Sequence, residues 1–372
     1  MKILQIGKYY ALSGGIEKVV YNLQEGLSSE TISCDILCIH NDLGKKEDVK
    51  TTHGYIYASK AFCKLASTSF SIDFILKLRK ISKQYDIIQL HHPNPMGALA
   101  LFLVGLDKKQ KLIVHWHSDI IKQKALLRVF RPLQNWMLKR ADVIVGTTTK
   151  YIEHSDDLRP YINKTISIPI GIDSFTGSVV PEKLSVKYSG KKIIFSLGRL
   201  CYYKGFDTLI TAAKYLPQEY IVLIGGDGEL RESLHQHIAK EGVADKVELL
   251  GRVPDNELAH YFSLCDVYCM SSVEKSEAFG VVLLEAFSLA KPVVATTIVG
   301  SGVSWVNKHD FSGINVEPYH PEALAKAIIN ILNDKVVYER FSKNALKRFN
   351  EVFRKQYMVD GFLNLYRKLG VK

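Results

Sequence analysis

Two glutamates separated by seven residues carry the strongest chemical signal in this sequence. Glu277 precedes a short turn, and Glu285 lies about two helical turns further on, inside the apolar helix predicted near residues 281–290. Backbone N–H groups at the start of a helix attract anions, and small residues in the turn let a ligand reach them. A carboxylate on a mostly buried helix needs partners, and it can accept hydrogen bonds from both hydroxyls of a diol. The pattern indicates a site for a sugar or a ribose.

Two cations follow a predicted buried strand in the stretch "GRLCYYKG". Arg199 and Lys204 are placed at the carboxyl end of that strand, where doubly wound sheets bind their ligands. Two positive charges beside a glycine suit a diphosphate. A solvated loop with two basic residues is the other interpretation, and both stay open on these residues alone.

Glycine-rich turns follow two other predicted strands. Gly14 and Gly15 come after the first strand, and Gly226 lies in the run "GGDG" of the second half. Glycines at such turns let a phosphate approach the backbone, although a plain strand–helix turn has the same composition. The spacing after the first strand is not GxGxxG, which argues against an NAD-dependent dehydrogenase.

The stretch "HWHSD" raises the question of a metal site. His115 and His117 share one face of a strand, and Asp119 follows. The sequence contains no HExxH and no DxD, so we expect no metal. His115 is interpreted as a core residue, and His117, at the strand end, as a hydrogen-bonding partner of a ligand.

Short apolar runs alternate with amphipathic stretches along 372 residues, which are too many for one core. Such uniformly apolar strands predict parallel sheets covered by helices on both faces. The pattern restarts after a polar linker near residues 178–192. We predict two doubly wound α/β domains facing across a cleft, residues 1–172 and 173–354, with a helix near 355–372 packing back on the first domain.

The net charge of +11 is concentrated in the first half of the chain. Residues 1–170 hold 24 basic and 15 acidic side chains, whereas the remainder is nearly balanced. This half should meet an anionic partner, either membrane lipid or a phosphorylated ligand, because no nucleic-acid-binding module is recognised. One candidate is an amphipathic helix between residues 122 and 140, whose alternative role is ordinary packing on the sheet. Its basic residues proposed to touch membrane or acceptor are Lys122, Lys124, Arg128 and Arg131.

Compartment signals point to the cytoplasm. The six cysteines form no CxxC and lie mostly in apolar strands, as reduced buried thiols do. The N-terminal stretch lacks the features of a signal peptide, and the longest apolar run is about half a membrane span.

The ordered motifs resemble those of retaining glycosyltransferases of family 4, which have the GT-B fold. The resemblance spans nearly the whole chain and rests on "SGGIEKVV", "IPIGID", "SLGRLCYYKG", "IGGDGELRESL", "LGRVPDNEL" and "SEAFGVVLLEAFSLAKPVVAT". Among bacterial members, the chain is most similar to those that build lipopolysaccharide O-antigen or capsule. It departs from many relatives at residues 225–228, where they have GxGP, so the geometry of that loop is not carried over.

The resemblance implies a role for each candidate residue. Glu285 would bind the ribose diol, and residues 251–253 would line the base pocket through their backbone. The catalytic candidates, which would meet the sugar or the diphosphate, are His117, Glu277, Arg199 and Lys204. The implied donor-binding residues are Gly14, Gly15, Gly226, Arg252, Val253, Ala278, Phe279, Gly280, Val281 and Glu285.

The activity implied by the resemblance is transfer of a hexose, with retention, from a nucleoside diphosphate sugar to a lipid-linked saccharide. The first domain would hold the acceptor at the cytoplasmic face of an anionic membrane, and the second would hold the donor. GDP-mannose and UDP-hexoses both remain open as donors. Two alternatives are a non-hydrolysing sugar-nucleotide epimerase of the same fold and a catalytically silent sugar- or lipid-binding module.

Overall fold

The computed structural model describes residues 1–10, 14–65, 68–121, 124–175, 177 and 179–371. The chain divides into two compact units. Unit 1 comprises Met1–Ile172 and Lys355–Lys372, and unit 2 comprises Asp173–Arg354.

Unit 1 is built on an eight-stranded sheet with helices on its faces. Its strands are β1 (Lys2–Tyr9), β2 (Ser33–Ile39), β3 (Glu47–Thr51), β4 (Gly54–Ser59), β5 (Cys63–Leu65), β6 (Thr68–Phe70), β7 (Ile87–His92), β8 (Lys111–Trp116), β9 (Val143–Gly146) and β10 (Thr165–Ser167). Its helices before the chain enters unit 2 are α1 (Gly15–Leu27), α2 (Ile72–Ile81), α3 (Pro95–Val104), α4 (Lys124–Arg140) and α5 (Thr149–Glu153).

The strand order in this sheet is β10-β9-β8-β7-β1-β2-β4-β3, with β3 alone antiparallel to its neighbour. Every residue of β7 is buried, as expected for a central strand covered on both faces. Helix α1 buries Val19, Val20, Leu23 and Leu27, and each such side chain contributes about 1.5–3 kcal/mol. Strands β5 and β6 form a separate antiparallel hairpin.

Unit 2 is built on a six-stranded, fully parallel sheet. Its strands are β11 (Lys192–Leu197), β12 (Tyr220–Gly225), β13 (Val247–Gly251), β14 (Val267–Met270), β15 (Val293–Thr296) and β16 (Gly313–Val316). Its helices are α6 (Glu182–Lys187), α7 (Phe206–Ala212), α8 (Arg231–Glu241), α9 (Asp255–Leu264), α10 (Val281–Ser288), α11 (Val303–Val306), α12 (Pro321–Asn333) and α13 (Lys335–Arg348).

After unit 2 the chain returns to unit 1 as α14 (Lys355–Lys368). The N–H of Lys355 donates to the carbonyl of Ile172 at 2.9 Å. Further along, the Tyr366 hydroxyl donates to Gln89 Oε1 at 2.6 Å, and the Phe362 ring lies 5.0 Å from that of His115. Helix α14 therefore covers one face of the first sheet.

The predicted fold class, two doubly wound α/β domains, is confirmed by these sheets and their flanking helices. Within the described part of the chain, no helix is both long enough and apolar enough to cross a membrane.

Candidate active site

The sheet of unit 2 has the strand order of a dinucleotide-binding fold. In the order β13-β12-β11-β14-β15-β16, successive strands run outward from β11 in one direction and from β14 in the other. Ligands of such sheets bind at the carboxyl ends of the strands, where the direction reverses. The loops after β11 and β14 meet at this point, and they carry Lys204 and Glu277.

Lys204 and Glu277 form a buried ion pair across these two loops. The Lys204 ammonium lies 2.5 Å from Glu277 Oε2, with side-chain exposures of 11% and 12%. Ser272 also donates to the same carboxylate oxygen at 3.3 Å. Burial is the largest single influence and would lower the pKa of Lys204. The Glu277 carboxylate, together with Tyr203 and Cys201, outweighs it, so the pKa lies above its ordinary value. The lysine is therefore held charged.

Backbone contacts fix the relative position of the two loops. The N–H of Val273 donates to the carbonyl of Tyr203 at 2.8 Å, and the Ser271 hydroxyl donates to the carbonyl of Lys204 at 3.0 Å. Gly205 has φ of +62°, and a Cβ there would collide with the carbonyl of Ser271. Only glycine lets the loop after β11 pass this close to β14.

Hydrogen bonds from residues 301 and 302 hold the turn that precedes α10. The Ser301 hydroxyl donates to the carbonyl of Glu277, and the N–H of Gly302 donates to the carbonyl of Ala278 at 2.8 Å. Ala278 and Phe279 are buried, and Gly280 caps the helix with φ of +81°. The turn is thus rigid, and the positive end of α10 lies beside the ion pair.

Glu285 lies on α10 and is 5% exposed. Val281, at the start of the helix, is half-buried. The Tyr268 phenol, on β14, is fully buried, and burial together with the Glu277 and Glu285 carboxylates raises its pKa well above the ordinary value. Both predicted glutamates therefore act electrostatically on one buried phenol.

The remaining donor-site candidates of unit 2 do not join this pair. Arg199 is 71% exposed and bonds Glu229 at 2.9 Å on the loop after β12. Gly226 has φ of +138° and lies against Gly198, so that a Cβ would overlap the carbonyl of Gly198. Arg252 is exposed and Val253 is half-buried, both just after β13. All four nevertheless follow strands at the same edge of the sheet.

In unit 1, Gly14 and Gly15 lie at the start of α1. The Glu17 carboxylate folds back over this turn, since a Cβ on Gly14 would lie 2.7 Å from Glu17 Oε2. Burial raises the pKa of Glu17, while its own backbone N–H and Lys8 oppose the rise. A side-chain carboxylate of the chain itself thus lies at the anion-favouring end of this helix.

His117 belongs to a buried group of polar side chains at the carboxyl end of β7 and β8. His91 Nδ1 lies 2.9 Å from His117 Nε2, and His91 Nε2 lies 2.6 Å from Gln5 Oε1. The His115 and His117 rings are 4.0 Å apart. Burial lowers the pKa of His117 to about 3 and the pKa values of His91 and His115 well below their usual range. These rings are neutral at physiological pH.

His91, His115 and His117 together could ligate a metal ion, because histidine is a common metal ligand. Nitrogens of His91, His115 and His117 lie within 4.8 Å of one another. Both ring nitrogens of His91 are already engaged, Nε2 by Gln5 and Nδ1 by His117, so the arrangement is that of a hydrogen-bonded cluster. The absence of a metal remains a prediction.

The basic helix predicted from the sequence corresponds to α4. Lys122 lies outside the described residues, and Lys124 begins the helix. Arg128 is exposed, whereas Arg131 forms an ion pair with the largely buried Asp157. Pairing within unit 1 reduces the availability of Arg131 for a membrane or an acceptor.

Apolar side chains of α4 remain exposed beside these charges. Leu126 is 44% exposed and Val129 is 81% exposed. An apolar groove of about 300 Å³ runs between the start of α4, the β5–β6 hairpin and α3. Its walls include Leu65, Phe70, Leu99, Leu126, Val129 and Phe130.

Comparisons with known proteins identify the class of enzyme. The family model "Glycosyltransferase Family 4" matches residues 13–174, and "Glycosyl transferases group 1" matches residues 182–348. O-antigen chain mannosyltransferase C of Escherichia coli is 31% identical over 375 residues, which cover 99% of both chains. D-rhamnosyltransferase WbpZ of Pseudomonas aeruginosa is 32% identical over 360 residues, which cover 95% of this chain and 92% of the relative.

Solved structures share the fold at lower identity. Sucrose-phosphate synthase from Thermosynechococcus elongatus superposes with a TM-score of 0.81 at 20% identity, over 99% of this chain and 98% of the other. Anabaena HepE in complex with UDP and glucose gives 0.78 at 19% identity, over 99% of each chain. The fold is that of a GT-B glycosyltransferase. The chain belongs to glycosyltransferase family 4, as the resemblance of its motifs predicts.

His91 and Gln5 were not among the residues predicted from the sequence. The dipeptide His91-His92 at the end of an apolar run was a signal, because consecutive strand residues face opposite sides and one of the two had to face His117. Finding Gln5 required the register between β1 and β7, which pairs Gln5 with Gln89.

Proposed function

We propose that this glycosyltransferase moves a hexose, with retention of configuration, from a nucleoside diphosphate sugar to a lipid-linked saccharide in O-antigen or capsule synthesis. Full-length similarity to an O-antigen mannosyltransferase and a D-rhamnosyltransferase supports this acceptor class. Structural likeness to a protein solved with UDP-glucose supports a nucleotide-sugar donor. GDP-mannose and UDP-hexoses are the candidate donors, and the mannosyltransferase relative favours GDP-mannose.

The observation that carries the proposal is the Lys204–Glu277 pair, which lies between β11 and β14, where the strand order of unit 2 reverses. An ammonium has three N–H donors, so Lys204 can keep its bond to Glu277 and still donate to a diphosphate oxygen. The start of α10 adds partial positive charge beside it. Arg199, exposed and close in sequence, could leave Glu229 to join the leaving group.

The proposed reaction substitutes one oxygen for another at the anomeric carbon. The bond from C1 to the diphosphate oxygen breaks, and the sugar becomes oxocarbenium-like. An acceptor hydroxyl then attacks from the face that the diphosphate leaves, and its proton passes to the diphosphate. Lys204 stabilises the negative charge that develops on the leaving group, and Glu277 orients the sugar beside it. Neither group forms a covalent bond.

We propose that this reaction proceeds without a divalent cation, because Lys204, Arg199 and the start of α10 supply positive charge for the diphosphate. Full activity in EDTA is the expected result. Loss of activity in EDTA that magnesium or manganese restores would show that a metal shares this task.

The proposed acceptor partner is a lipid diphosphate at the cytoplasmic face of an anionic membrane, held by unit 1. The apolar groove beside α4 supports contact with lipid, and Arg128 lies one residue from the exposed Val129. Each basic residue near an anionic surface adds about 1 kcal/mol at low salt. The chain would then be a peripheral membrane protein.

A donor and acceptor panel tests the activity. Purified protein is incubated with GDP-mannose, UDP-glucose, UDP-galactose or UDP-N-acetylglucosamine, with and without a polyprenyl diphosphate-linked saccharide. Transfer with an unchanged anomeric configuration in the NMR spectrum of the product is expected. Conversion of the donor to its epimer without acceptor would indicate the epimerase, and donor binding without turnover would indicate a silent binding module.

Sedimentation with anionic vesicles tests the membrane contact separately. The variant Arg128→Gln/Val129→Ser should bind less than wild type at low salt, because it loses a charge and an exposed apolar side chain. Lys335→Gln/Val336→Ser is the matched control, since it alters a similar dipeptide on α13 of unit 2, where Val336 is 75% exposed. Equal sedimentation of all three proteins would remove α4 as the contact.

A further inference from the structure

A chain of side-chain hydrogen bonds crosses three neighbouring strands of unit 1. It runs from Gln5 on β1 through His91 on β7 to His117, which follows β8, with contacts of 2.6 and 2.9 Å. Gln5 is fully buried, and His91 and His117 are 1% and 5% exposed. Because Gln5 pairs with Gln89 in the sheet, Gln5 and His91 lie on the same face of adjacent strands.

The amide of Gln5 sets the direction of this chain. Its Nε2 donates to Cys34 Sγ at 3.7 Å, which leaves Oε1 on the side of His91, 2.6 Å from Nε2 of that ring. The Gln5 carbonyl oxygen therefore faces His91, and it can only accept.

The protons of both histidines follow from this orientation. A neutral imidazole carries one N–H, and His91 must place it on Nε2 to donate to Gln5. His91 Nδ1 then accepts, and His117 must donate from Nε2. His117 Nδ1 is left with a lone pair, and none of the described residues bonds it.

We propose that Gln5 and His91 are positioning residues that hold His117 in the Nε2-protonated tautomer, with Nδ1 as the acceptor for a hydroxyl of the transferred sugar. This inference rests on the proposed function, because the donor sugar supplies the hydroxyl. An acceptor nitrogen at this point favours a sugar that carries the hydroxyl. The opposite tautomer would present an N–H and could not accept that proton.

Nitrogen-15 NMR of histidine-labelled protein tests the tautomer without any substrate. Long-range proton–nitrogen spectra distinguish a protonated ring nitrogen from one with a lone pair, and His117→Asn assigns the His117 signals. We expect an unprotonated Nδ1 on His117 in wild type, and a change of that signal in Gln5→Leu. A protonated Nδ1 in wild type would overturn the proposal. Zinc binding by the wild-type cluster, seen as a shift of all three rings, would overturn it as well.

Kinetics with a matched variant tests the consequence. Gln5→Leu and Gln89→Leu each remove one buried amide of the same size from adjacent strands and leave comparable packing defects. Gln5→Leu should lower kcat/KM for the active donor about tenfold, the effect of one lost hydrogen bond, and Gln89→Leu should change it much less. A donor analogue that lacks the recognised hydroxyl should show no difference between Gln5→Leu and wild type.

The NMR and kinetic experiments distinguish a failure of this inference from a failure of the proposed function. If wild type transfers no sugar, the proposed function fails while the NMR spectrum still decides the tautomer. If transfer is normal and the two leucine variants lose equal activity, the positioning role fails and the glycosyltransferase activity stands. If Gln5→Leu does not fold, the wild-type spectrum alone decides.

Discussion

In unit 1 the polar side chains at the carboxyl end of the sheet are neutral histidines joined by hydrogen bonds, whereas unit 2 has an ammonium–carboxylate pair at the corresponding edge. Both groups are buried, and burial penalises charge. In unit 1 the His91 and His117 rings are uncharged, because burial holds their pKa values far below the ordinary value. In unit 2 the opposite charge of Glu277 keeps Lys204 protonated.

The two edges are suited to different ligands. A buried neutral imidazole offers one donor and one acceptor and is suited to an uncharged hydroxyl. A buried ammonium that shares its charge with a carboxylate can turn toward an incoming phosphate. These chemistries support the proposed function, in which unit 1 binds a hydroxyl and unit 2 binds a diphosphate.

Breaking the charged pair should have the largest effect. Glu277→Ala leaves the Lys204 ammonium buried without a counter-ion, which should cost about 3–5 kcal/mol in the free energy of unfolding. It should also lower turnover by about two to three decades. The measurements are denaturant unfolding and steady-state transfer.

The double variant Lys204→Met/Glu277→Leu is the control for this prediction. It removes both charges, so most of the lost stability should return while activity stays low. Full stability and turnover in Glu277→Ala would contradict the role assigned to the pair.

Acid should act on the buried neutral histidines of unit 1. The pKa of His117 and of His92 falls from 6.5 to about 3 on burial, so below pH 6.5 the unfolded chain binds protons that the folded chain does not. Stability is complete above pH 6.5 and should fall by about 1.4 kcal/mol per pH unit for each such histidine. Denaturant unfolding at pH 7 and pH 5, followed by Trp116 of unit 1 in a variant without the other tryptophans, measures this loss.

The opposite pH dependence is expected for Lys204, because its pKa in the folded protein lies above the unfolded value of 10.5. The charged lysine stabilises unit 2 fully below pH 10.5, and this stabilisation is lost as the pH rises through the folded-state pKa. Trp305 reports on unit 2 in the corresponding single-tryptophan variant. Equal acid sensitivity of both units would contradict the contrast between them.

The smallest changes in stability are expected from two histidine substitutions. Neither ring nitrogen of His115 has a hydrogen-bond partner among the described residues, so His115→Phe should alter the free energy of unfolding by less than about 1 kcal/mol. His91→Phe leaves Gln5 and His117 without their partner and should cost about 1–3 kcal/mol. Thermal and denaturant unfolding of both variants decides, and a larger cost for His115→Phe would show that its nitrogens are engaged.

Features that depend on neighbouring residues could be predicted from the sequence, whereas contacts between distant residues could not. Apolar strand periodicity is local, so it predicted the two doubly wound units, and residues at strand ends predicted Lys204 and Glu277 as candidates. Contacts between loops are not local: Lys204 and Glu277 are 73 residues apart, and Gln5 and His91 are 86 apart. A single sequence does not reveal the register between distant strands, so the hydrogen-bonded chain of Gln5, His91 and His117 was not predicted. The exposure of Arg199 and the Arg131–Asp157 pair likewise depend on side-chain packing.

Helix α14 has a consequence for the order in which the protein is made. A ribosome completes residues 173–354 before it reaches α14, so unit 2 can fold while unit 1 still lacks its last helix. Until then Phe362 and Tyr366 are absent from the face that holds His115 and Gln89. The first unit to emerge is thus the last to close, and a nascent chain stopped at residue 354 should display this polar face to chaperones and proteases.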